Sequence, residues 1–217
     1  MNFIIFDLDD TLLCGDCEKY WTNFLIEKGF QKKSNSLIAL NKFDEDYRNG
    51  VLNFEEYSTF ILEPLKGLTK SEVDILLKEF LNNKIDVLTD NLTNSLLLEA
   101  EKADAVLIAS GSHDFLVKCF ADHFQINSSI GTPVEVKNNS YTGMLSGEAT
   151  FYKGKERAVK KWCYENNLKI SEAIFYSDSI NDMPMFESCG KPVVVNPDRQ
   201  LLEIANDRSY DIIMRES

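Results

Sequence analysis

The chain of 217 residues is poor in the residues that most metal and redox sites need. It has only two histidines, His113 and His123, and five cysteines. Cys14 and Cys17 have the spacing of a C-x-x-C pair, but no second pair appears and histidine is scarce, so a zinc or redox site is not predicted. An odd number of cysteines without periodic spacing is typical of a reducing compartment.

The chain also lacks long apolar runs and an excess of basic residues. No apolar stretch approaches the ~20 residues that span a bilayer, and the beginning of the chain lacks the pattern of a signal peptide. The chain has 35 Asp and Glu against 23 Lys and Arg, a net charge of −12, which repels nucleic acids and anionic membranes. We therefore expect a cytoplasmic protein with a small-molecule partner and neither a nucleic-acid nor a membrane partner, either a monomer or a homodimer.

The apolar pattern predicts an α/β fold. Short apolar runs, typical of buried strands, occur at 2–6, 105–109, 173–176 and 192–195. From about residue 85 these runs alternate with segments of helical periodicity. This alternation predicts a doubly wound, Rossmann-like parallel sheet covered by helices on both faces.

A block of helical periodicity interrupts the series just after the first strand. Apolar residues recur there at i, i+3 and i+4, as at Trp21 and Phe24. We predict a catalytic core at 1–13 and 85–217 and a helical cap domain at 14–84.

The candidate chemistry lies where the predicted strands end, because ligands of open parallel sheets bind beyond the carboxyl ends of the strands. The first strand ends in Asp7-Leu8-Asp9-Asp10-Thr11. Three acids in four residues repel one another unless a cation neutralises them. An exposed acidic turn is the alternative, but Asp7 directly follows an apolar strand, and a buried charge needs a partner such as a divalent metal.

The next predicted strand ends at Ala109 and is followed by Ser110-Gly111-Ser112, which can offer a hydroxyl and backbone N–H groups to phosphate oxygens. An ordinary helix-capping turn is the alternative here. Lys155 begins a predicted helix, where the helix dipole disfavours a lysine. A functional role for Lys155 therefore competes with a solvated surface position.

A second acidic cluster, which contains Asp178 and Asp182, follows the strand that ends at Tyr176. Asp178 can complete an all-oxygen magnesium site with Asp7. Asp182 can belong to the same site or cap the following helix.

These motifs, D-x-D-x-T, S-G, K and D-S-x-x-D in that order, resemble those of the haloacid dehalogenase superfamily of phosphohydrolases over essentially the whole chain. The segments 141–143, 176–184 and 195–198 resemble the phosphoserine phosphatase-like branch, in which a helical cap is inserted after the first motif. The second aspartate of the first motif, Asp9, argues for phosphoryl transfer over dehalogenation.

The resemblance implies a role for each motif residue. Asp7 is the nucleophile that becomes an aspartyl-phosphate, and Asp9 is the general acid and base. Mg²⁺ is the implied cofactor, held by the Asp7 carboxylate, the Asp9 backbone carbonyl and Asp178. The transferring phosphoryl group is bound by Ser110, the Gly111 N–H and Lys155. Three further residues are implied to support the site from a second layer, outside the residues that bind the metal and the phosphoryl group: Asp182, Asn181 and Thr11.

The predicted cap has to select the substrate. Phosphoserine phosphatases resemble the segment 50–55, which includes Phe54, and hold the substrate's amine and carboxylate with a cap glutamate and a cap arginine. Asp16 stands at the glutamate's position, but no arginine lies between Arg48 and Arg157. The carboxylate clamp is therefore missing unless Lys66 or Arg48 substitutes for it.

Histidinol-phosphate phosphatases of the same branch resemble the chain at 15–16, 21–25, 46–50 and 62–65. Their substrate carries an amine and an imidazole but no carboxylate, which suits an acidic cap. We therefore expect a phosphatase acting on a phosphorylated amino alcohol or amino acid, histidinol phosphate first and phosphoserine second. A phosphotransferase (mutase) of the same fold and a non-catalytic member that binds a phosphorylated ligand are the alternatives.

Overall fold

The computed structural model describes residues 2–31 and 33–215, except for the side chains of residues 33, 34 and 48. The strands of this part are β1 (Phe3–Phe6), β2 (Ala105–His113), β3 (Ser129–Thr132), β4 (Val134–Lys137), β5 (Ser140–Leu145), β6 (Ala173–Ser177), β7 (Lys191–Val195) and β8 (Asp211–Ile213). The helices are α1 (Cys17–Glu27), α2 (Lys33–Arg48), α3 (Phe54–Leu62), α4 (Lys70–Leu88), α5 (Asn91–Ala100), α6 (Asp114–His123), α7 (Lys153–Glu165), α8 (Met183–Ser188) and α9 (Arg199–Asp207).

Six strands form one sheet in the order β3-β2-β1-β6-β7-β8, and all neighbours in it are parallel. β1 lies near the middle, between β2 and β6. Every residue of β1 is buried, which explains why its sequence is continuously apolar rather than alternating. The predicted α/β fold with a doubly wound parallel sheet is confirmed.

The main apolar core covers one face of this sheet. Phe3 and Ile5 of β1 belong to it, as do Val159 and Cys163 of α7. Helices α8 and α9 add further buried side chains, including Met185. Each large apolar side chain that is fully buried contributes about 1.5–3 kcal/mol to folding. This core therefore holds the carboxyl end of β1, and the residues after it, in a fixed position.

The chain divides into two compact units. The core unit contains the residues up to Asp16, Asp86–Thr132 and the residues from Glu148 onward. The helical unit contains Cys17–Ile85 and also Pro133–Gly147, which forms the β4–β5 hairpin.

The predicted domain boundaries assigned 133–147 to the catalytic core, whereas this hairpin groups with the helical unit. Its backbone hydrogen bonds explain the difference. The Gly67 N–H donates to the Tyr141 carbonyl at 2.9 Å, and the Tyr141 N–H donates to the Leu68 carbonyl at 2.8 Å. Thr69 also forms an isolated bridge with Ser140. The hairpin is thus tied by its main chain to the segment that precedes α4.

The interior of the helical unit is aromatic. The rings of Trp21 and Phe24 stack at 5.6 Å between centroids, and Phe80 of α4 contacts both of them at 5.3 and 5.7 Å. All three side chains are almost completely buried. In the part of the chain that the structure describes, no helix has the length and apolarity needed to cross a membrane.

Two predicted element boundaries were wrong near the candidate site. β2 continues through Ser110, Gly111 and Ser112 to His113, although the sequence predicted that it ends at Ala109. Pairing of His113 with Thr132 of β3, after an irregularity in the register, keeps these residues extended. α7 begins at Lys153 rather than at Lys155, so Lys155 lies in the first turn of the helix.

Candidate active site

The candidate site is built on the ends of β1, β2 and β6. Asp7 follows β1, and its N–H donates to the Tyr176 carbonyl of β6 at 2.9 Å. Leu8–Leu12 then form a tight turn in which Asp10 adopts a φ of +50°. We call the segment from Asp7 to Leu13 the catalytic loop. Its first acids are therefore held against the sheet instead of projecting into solvent.

A buried lysine connects two of the acids. Lys155 Nζ donates to Asp7 Oδ1 at 2.9 Å and to Asp182 Oδ2 at 2.7 Å. The exposed fractions of the three residues are 6% for Asp7, 1% for Asp182 and 4% for Lys155. Two buried carboxylates thus share one ammonium group, and the three side chains form a dry ionic network.

This network perturbs the titration of its members. Burial raises the pKa of Asp7 to about 7, and the charges of Asp182 and Asp9 add to this effect, whereas Lys155 opposes it. Burial alone would lower the pKa of Lys155, but the charges of Asp182 and Asp7 outweigh it and hold the pKa above its ordinary value. Lys155 therefore stays charged, and the site lacks enough positive charge for its acids.

The position of Lys155 depends on the glycine before it. A Cβ added at Gly154 would lie 2.0 Å from the Ala149 carbonyl oxygen, which no real side chain tolerates. Glycine allows the backbone of 149 to approach the start of α7 this closely. Lys155 is thereby placed in the first turn, from which its ammonium group reaches both Asp7 and Asp182.

Asp9 is held by two hydroxyl groups of β2. Ser112 Oγ donates to Asp9 Oδ2 at 2.6 Å, and Ser110 Oγ donates to the same oxygen at 3.2 Å. Residues i and i+2 of a strand point to the same face, so the extended backbone of β2 places both serines toward Asp9. The sequence interpretation assigned Ser110 to phosphate binding and missed the role of Ser112, although the i, i+2 spacing was a usable signal.

Thr11 and Asp178 connect the catalytic loop to the end of β6. Thr11 Oγ1 donates to Asp178 Oδ1 at 3.0 Å and accepts the Asp178 N–H at 2.9 Å. Thr11, which was predicted to support the site, thus contacts Asp178, a predicted metal ligand, directly. Burial, with the neighbouring charges of Asp7 and Asp10, raises the pKa of Asp178 well above its ordinary value.

Ser177 is a further contact that the sequence interpretation missed. It donates to Asp182 Oδ2 at 2.6 Å and is completely buried at the end of β6. Asp182 therefore bonds Lys155 and Ser177 with one oxygen, and it does not cap α8 with its side chain. Asn181 lies in the same turn, where its N–H donates to Ser179 Oγ at 3.2 Å.

The chemistry of these acids fits a hard divalent cation. Among the described residues, no three His, Cys, Asp or Glu side chains form a ready metal cluster. A Mg²⁺ site does not need three, because Mg²⁺ commonly binds one or two carboxylates and completes its shell with water and phosphate oxygens. Asp7 is buried and Asp178 half-buried, and desolvation, with the charges of neighbouring acids, raises the pKa of both carboxylates.

The residues predicted to contact the substrate are spread over both units. Asp16 is half-buried at the end of the first core segment, and Phe54 begins α3 in the helical unit, tilted against the Tyr57 ring at 6.0 Å. Arg48 ends α2, and its side chain lies outside the described part of the chain. A role of these residues in recognition stays a prediction.

Comparison with known proteins identifies the class. The model of the haloacid dehalogenase-like hydrolase family matches residues 4–187, and the chain therefore belongs to this family. It is 30% identical over 217 residues to a histidinol-phosphatase of Neisseria meningitidis serogroup C (strain 8013), in a match that covers 98% of each chain.

Solved structures share the fold of this chain. A protein of unknown function from Bordetella pertussis Tohama I has a TM-score of 0.88 at 28% identity, with 98% of each chain covered. A phosphoserine phosphatase that holds an analogue of its phospho-aspartyl intermediate has a TM-score of 0.67 at 19% identity, over 99% of this chain and 93% of the other. The predicted family and the predicted class of enzyme, a phosphatase, are confirmed.

Proposed function

We propose that the protein is a magnesium-dependent phosphomonoesterase that works through an aspartyl-phosphate on Asp7. The observation that carries the proposal is that two acids after β1, Asp7 and Asp9, are bound by different kinds of partner. Asp7 is buried beside the Lys155 ammonium group, and Asp9 accepts hydrogen bonds from Ser110 and Ser112. One acid is thus fixed by a cation, and the other by hydroxyl groups.

The first half of the reaction transfers the phosphoryl group to the enzyme. An Asp7 carboxylate oxygen forms a bond to phosphorus, and the bond from phosphorus to the ester oxygen breaks. Asp9, in its protonated form, gives its proton to the leaving oxygen, which departs as an alcohol. The Lys155 ammonium group, 2.9 Å from Asp7, offsets negative charge on the transferring group.

The second half returns the enzyme to its starting state. Asp9, now ionised, accepts a proton from a water molecule as the water oxygen attacks phosphorus. The bond between phosphorus and the Asp7 oxygen breaks, and inorganic phosphate leaves. The two halves sum to hydrolysis of a phosphomonoester to an alcohol and phosphate, and Asp9 ends with a proton from water in place of the one that left with the alcohol.

The proposed cofactor is Mg²⁺, held by the Asp7 and Asp178 carboxylates and the Asp9 backbone carbonyl. When bound, it supplies positive charge that keeps Asp7 ionised and neutralises phosphate oxygens. Thr11 holds the Asp178 carboxylate from the loop side, and Asp182 holds Lys155 from the side of β6. These contacts support a pre-arranged cation site.

The proposed substrate is a small phosphorylated amino alcohol or amino acid, with histidinol phosphate first. The full-length similarity to a histidinol-phosphatase supports this choice, as does the acidic residue Asp16 next to the start of α1. Phosphoserine is the second candidate, since Asp16 can also hold its amine. We place the reaction in the cytoplasm, in agreement with five cysteines that are all free thiols.

Steady-state phosphate release with Mg²⁺ tests both parts of the proposal, the reaction and the substrate. We expect histidinol phosphate to be hydrolysed with a higher kcat/KM than phosphoserine, and both to exceed a generic aryl phosphate. Equal turnover of histidinol phosphate and the aryl phosphate would reject the substrate but not the reaction. Phosphate release that requires an added sugar acceptor would instead indicate a mutase.

Asp7→Asn tests the nucleophile. We expect phosphate release to fall to background, because an amide cannot form the acyl-phosphate bond. Asp122→Asn is the matched control, since Asp122 is an exposed carboxylate that pairs with Lys118 on α6. Turnover retained in Asp7→Asn would rule out the assigned nucleophile, and loss of turnover in both variants would show that the assay does not report on the site.

A further inference from the structure

The side chain of an arginine far along the chain, Arg215, binds backbone carbonyls of the catalytic loop. Arg215 follows β8, and its side chain is 9% exposed. Its Nη2 donates to the Thr11 carbonyl at 2.5 Å and to the Leu13 carbonyl at 2.6 Å, while its Nη1 donates to Asp90 Oδ2 at 2.5 Å. One planar guanidinium group therefore joins two backbone carbonyls of the loop to a carboxylate.

The Leu12 carbonyl lies between the Thr11 and Leu13 carbonyls and is bound by Thr93, which also contacts Asp90. Thr93 Oγ1 donates to the Leu12 carbonyl at 2.8 Å. Asp90 Oδ1 in turn accepts the Thr93 N–H at 2.8 Å, as the N-cap of α5. Asp90 thus orients both donors, and three consecutive loop carbonyls have side-chain partners. We call Asp90, Thr93 and Arg215 the carbonyl clamp.

The electrostatics of the clamp agree with its geometry. Burial alone would raise the pKa of Asp90, but the Arg215 hydrogen bond and the Thr93 N–H outweigh burial and lower it. Asp90 is therefore ionised at neutral pH. Charge-assisted hydrogen bonds are short and strong, and the planar guanidinium group gives its donors fixed directions, so the clamp fixes the orientation of the loop backbone as well as its position.

The clamped residues are connected to the acids of the site. Thr11 accepts Arg215 at its carbonyl and binds Asp178 with its hydroxyl group, so a shift of the Thr11 backbone moves the contact with Asp178. Leu13 donates its N–H to the Leu8 carbonyl at 2.8 Å, which closes the turn that carries Asp9. The clamp acts on the reacting groups only through this turn.

We propose that Arg215, oriented by Asp90, is a positioning residue for the reaction: it holds the catalytic loop in the conformation in which Asp7, Asp9 and Asp178 are aligned. This inference rests on the proposed function. It assigns Arg215 no contact with the substrate. Misplacement of reacting groups by about 1 Å costs on the order of 100-fold in rate, so loosening the loop should lower kcat more than it changes KM.

The experiment compares Arg215→Met with Arg208→Met in the full chain. Arg208 is a suitable control because it is an arginine of the same unit whose guanidinium group pairs on the surface with Glu187 and the Tyr210 hydroxyl. We expect Arg215→Met to lower kcat by about 10- to 100-fold with KM changed by less than about threefold. Arg208→Met should retain the wild-type kcat.

Two further readouts separate positioning from a general loss of structure. Added guanidinium ion, well below denaturing concentrations, should restore part of the kcat of Arg215→Ala but not alter Arg208→Ala. Amide hydrogen exchange followed by mass spectrometry should be faster in the peptide that covers 7–16 in Arg215→Met, with the peptides of α7 unchanged. If Arg215→Met does not fold, Arg215→Lys keeps the charge without the fork, and we expect its kcat to lie between those of wild type and Arg215→Ala.

A kcat of Arg215→Met or Arg215→Lys within about twofold of wild type, equivalent to less than about 0.5 kcal/mol, would overturn the proposal. So would a lower kcat with unchanged exchange of the 7–16 peptide. An inactive wild-type protein would reject the proposed function instead, and the exchange comparison would still show whether Arg215 holds the loop.

Discussion

The titration of Asp7 leads to a pH-dependent stability that one substitution should abolish. Asp7 has an ordinary pKa of 3.8 when the chain is unfolded and a pKa of about 7 in the folded, metal-free protein. Because the folded state holds this proton more tightly, the wild-type protein should lose stability as the pH rises from about 4 to about 7. Asp7→Asn carries no such proton, so it should lack the part of this loss that Asp7 causes.

The size of the effect follows from the two pKa values. The difference between 3.8 and about 7, at about 1.4 kcal/mol per pKa unit, corresponds to about 4 kcal/mol. This is an upper limit, because Lys155 and Asp182 share the network and relax with it. We therefore expect the free energy of unfolding of Asp7→Asn, minus that of wild type, to increase by about 2–4 kcal/mol between pH 4 and 7 and to level off above.

Urea denaturation with EDTA, followed by circular dichroism at several pH values from 4 to 8.5, measures this difference. Asp122→Asn, which removes an exposed carboxylate outside the network, is the control. A difference for Asp7→Asn that is independent of pH, or that shrinks as the pH rises, would refute the reasoning. A constant difference would mean that Lys155 compensates fully for the burial of Asp7, and a shrinking difference would mean that it overcompensates.

Three substitutions probe the surroundings of the network. Ser112→Ala removes the 2.6 Å hydrogen bond to Asp9 and should lower kcat about fivefold with little change in KM; an unchanged kcat would show that Ser110 alone suffices. Lys155→Met leaves two buried carboxylates without their cation and should cost about 3–5 kcal/mol in urea denaturation at pH 8; a smaller loss would mean that water reaches the site. Gly154→Ala places a Cβ 2.0 Å from the Ala149 carbonyl oxygen and should cost at least about 1–3 kcal/mol, and an unchanged thermal midpoint would contradict this.

The acids of the site could be predicted from sequence because of where they stand relative to the strands. Asp7 and Asp178 each lie directly at the end of a buried apolar run, and β1 pairs with β6 in parallel. Parallel pairing brings the carboxyl ends of neighbouring strands together. Local sequence therefore carries enough information to place these two residues at one edge of the sheet.

Other contacts depend on tertiary structure that no local pattern encodes. Arg215 binds the Thr11 carbonyl across 204 positions of sequence, and nothing near either residue signals the contact. Ser112 was missed because the strand was expected to end at Ala109, and only its pairing with β3 keeps it extended.

The β4–β5 hairpin determines which segments of this protein must be exchanged together in a chimaera. Because Pro133–Gly147 groups with Cys17–Ile85, the polypeptide passes between its two units four times instead of twice. A chimaera that receives only 17–85 from a relative would pair a foreign segment with a resident hairpin through the main-chain bonds of Gly67 and Tyr141. Exchange of the helical unit between members of the family therefore requires moving both segments together, with four junctions.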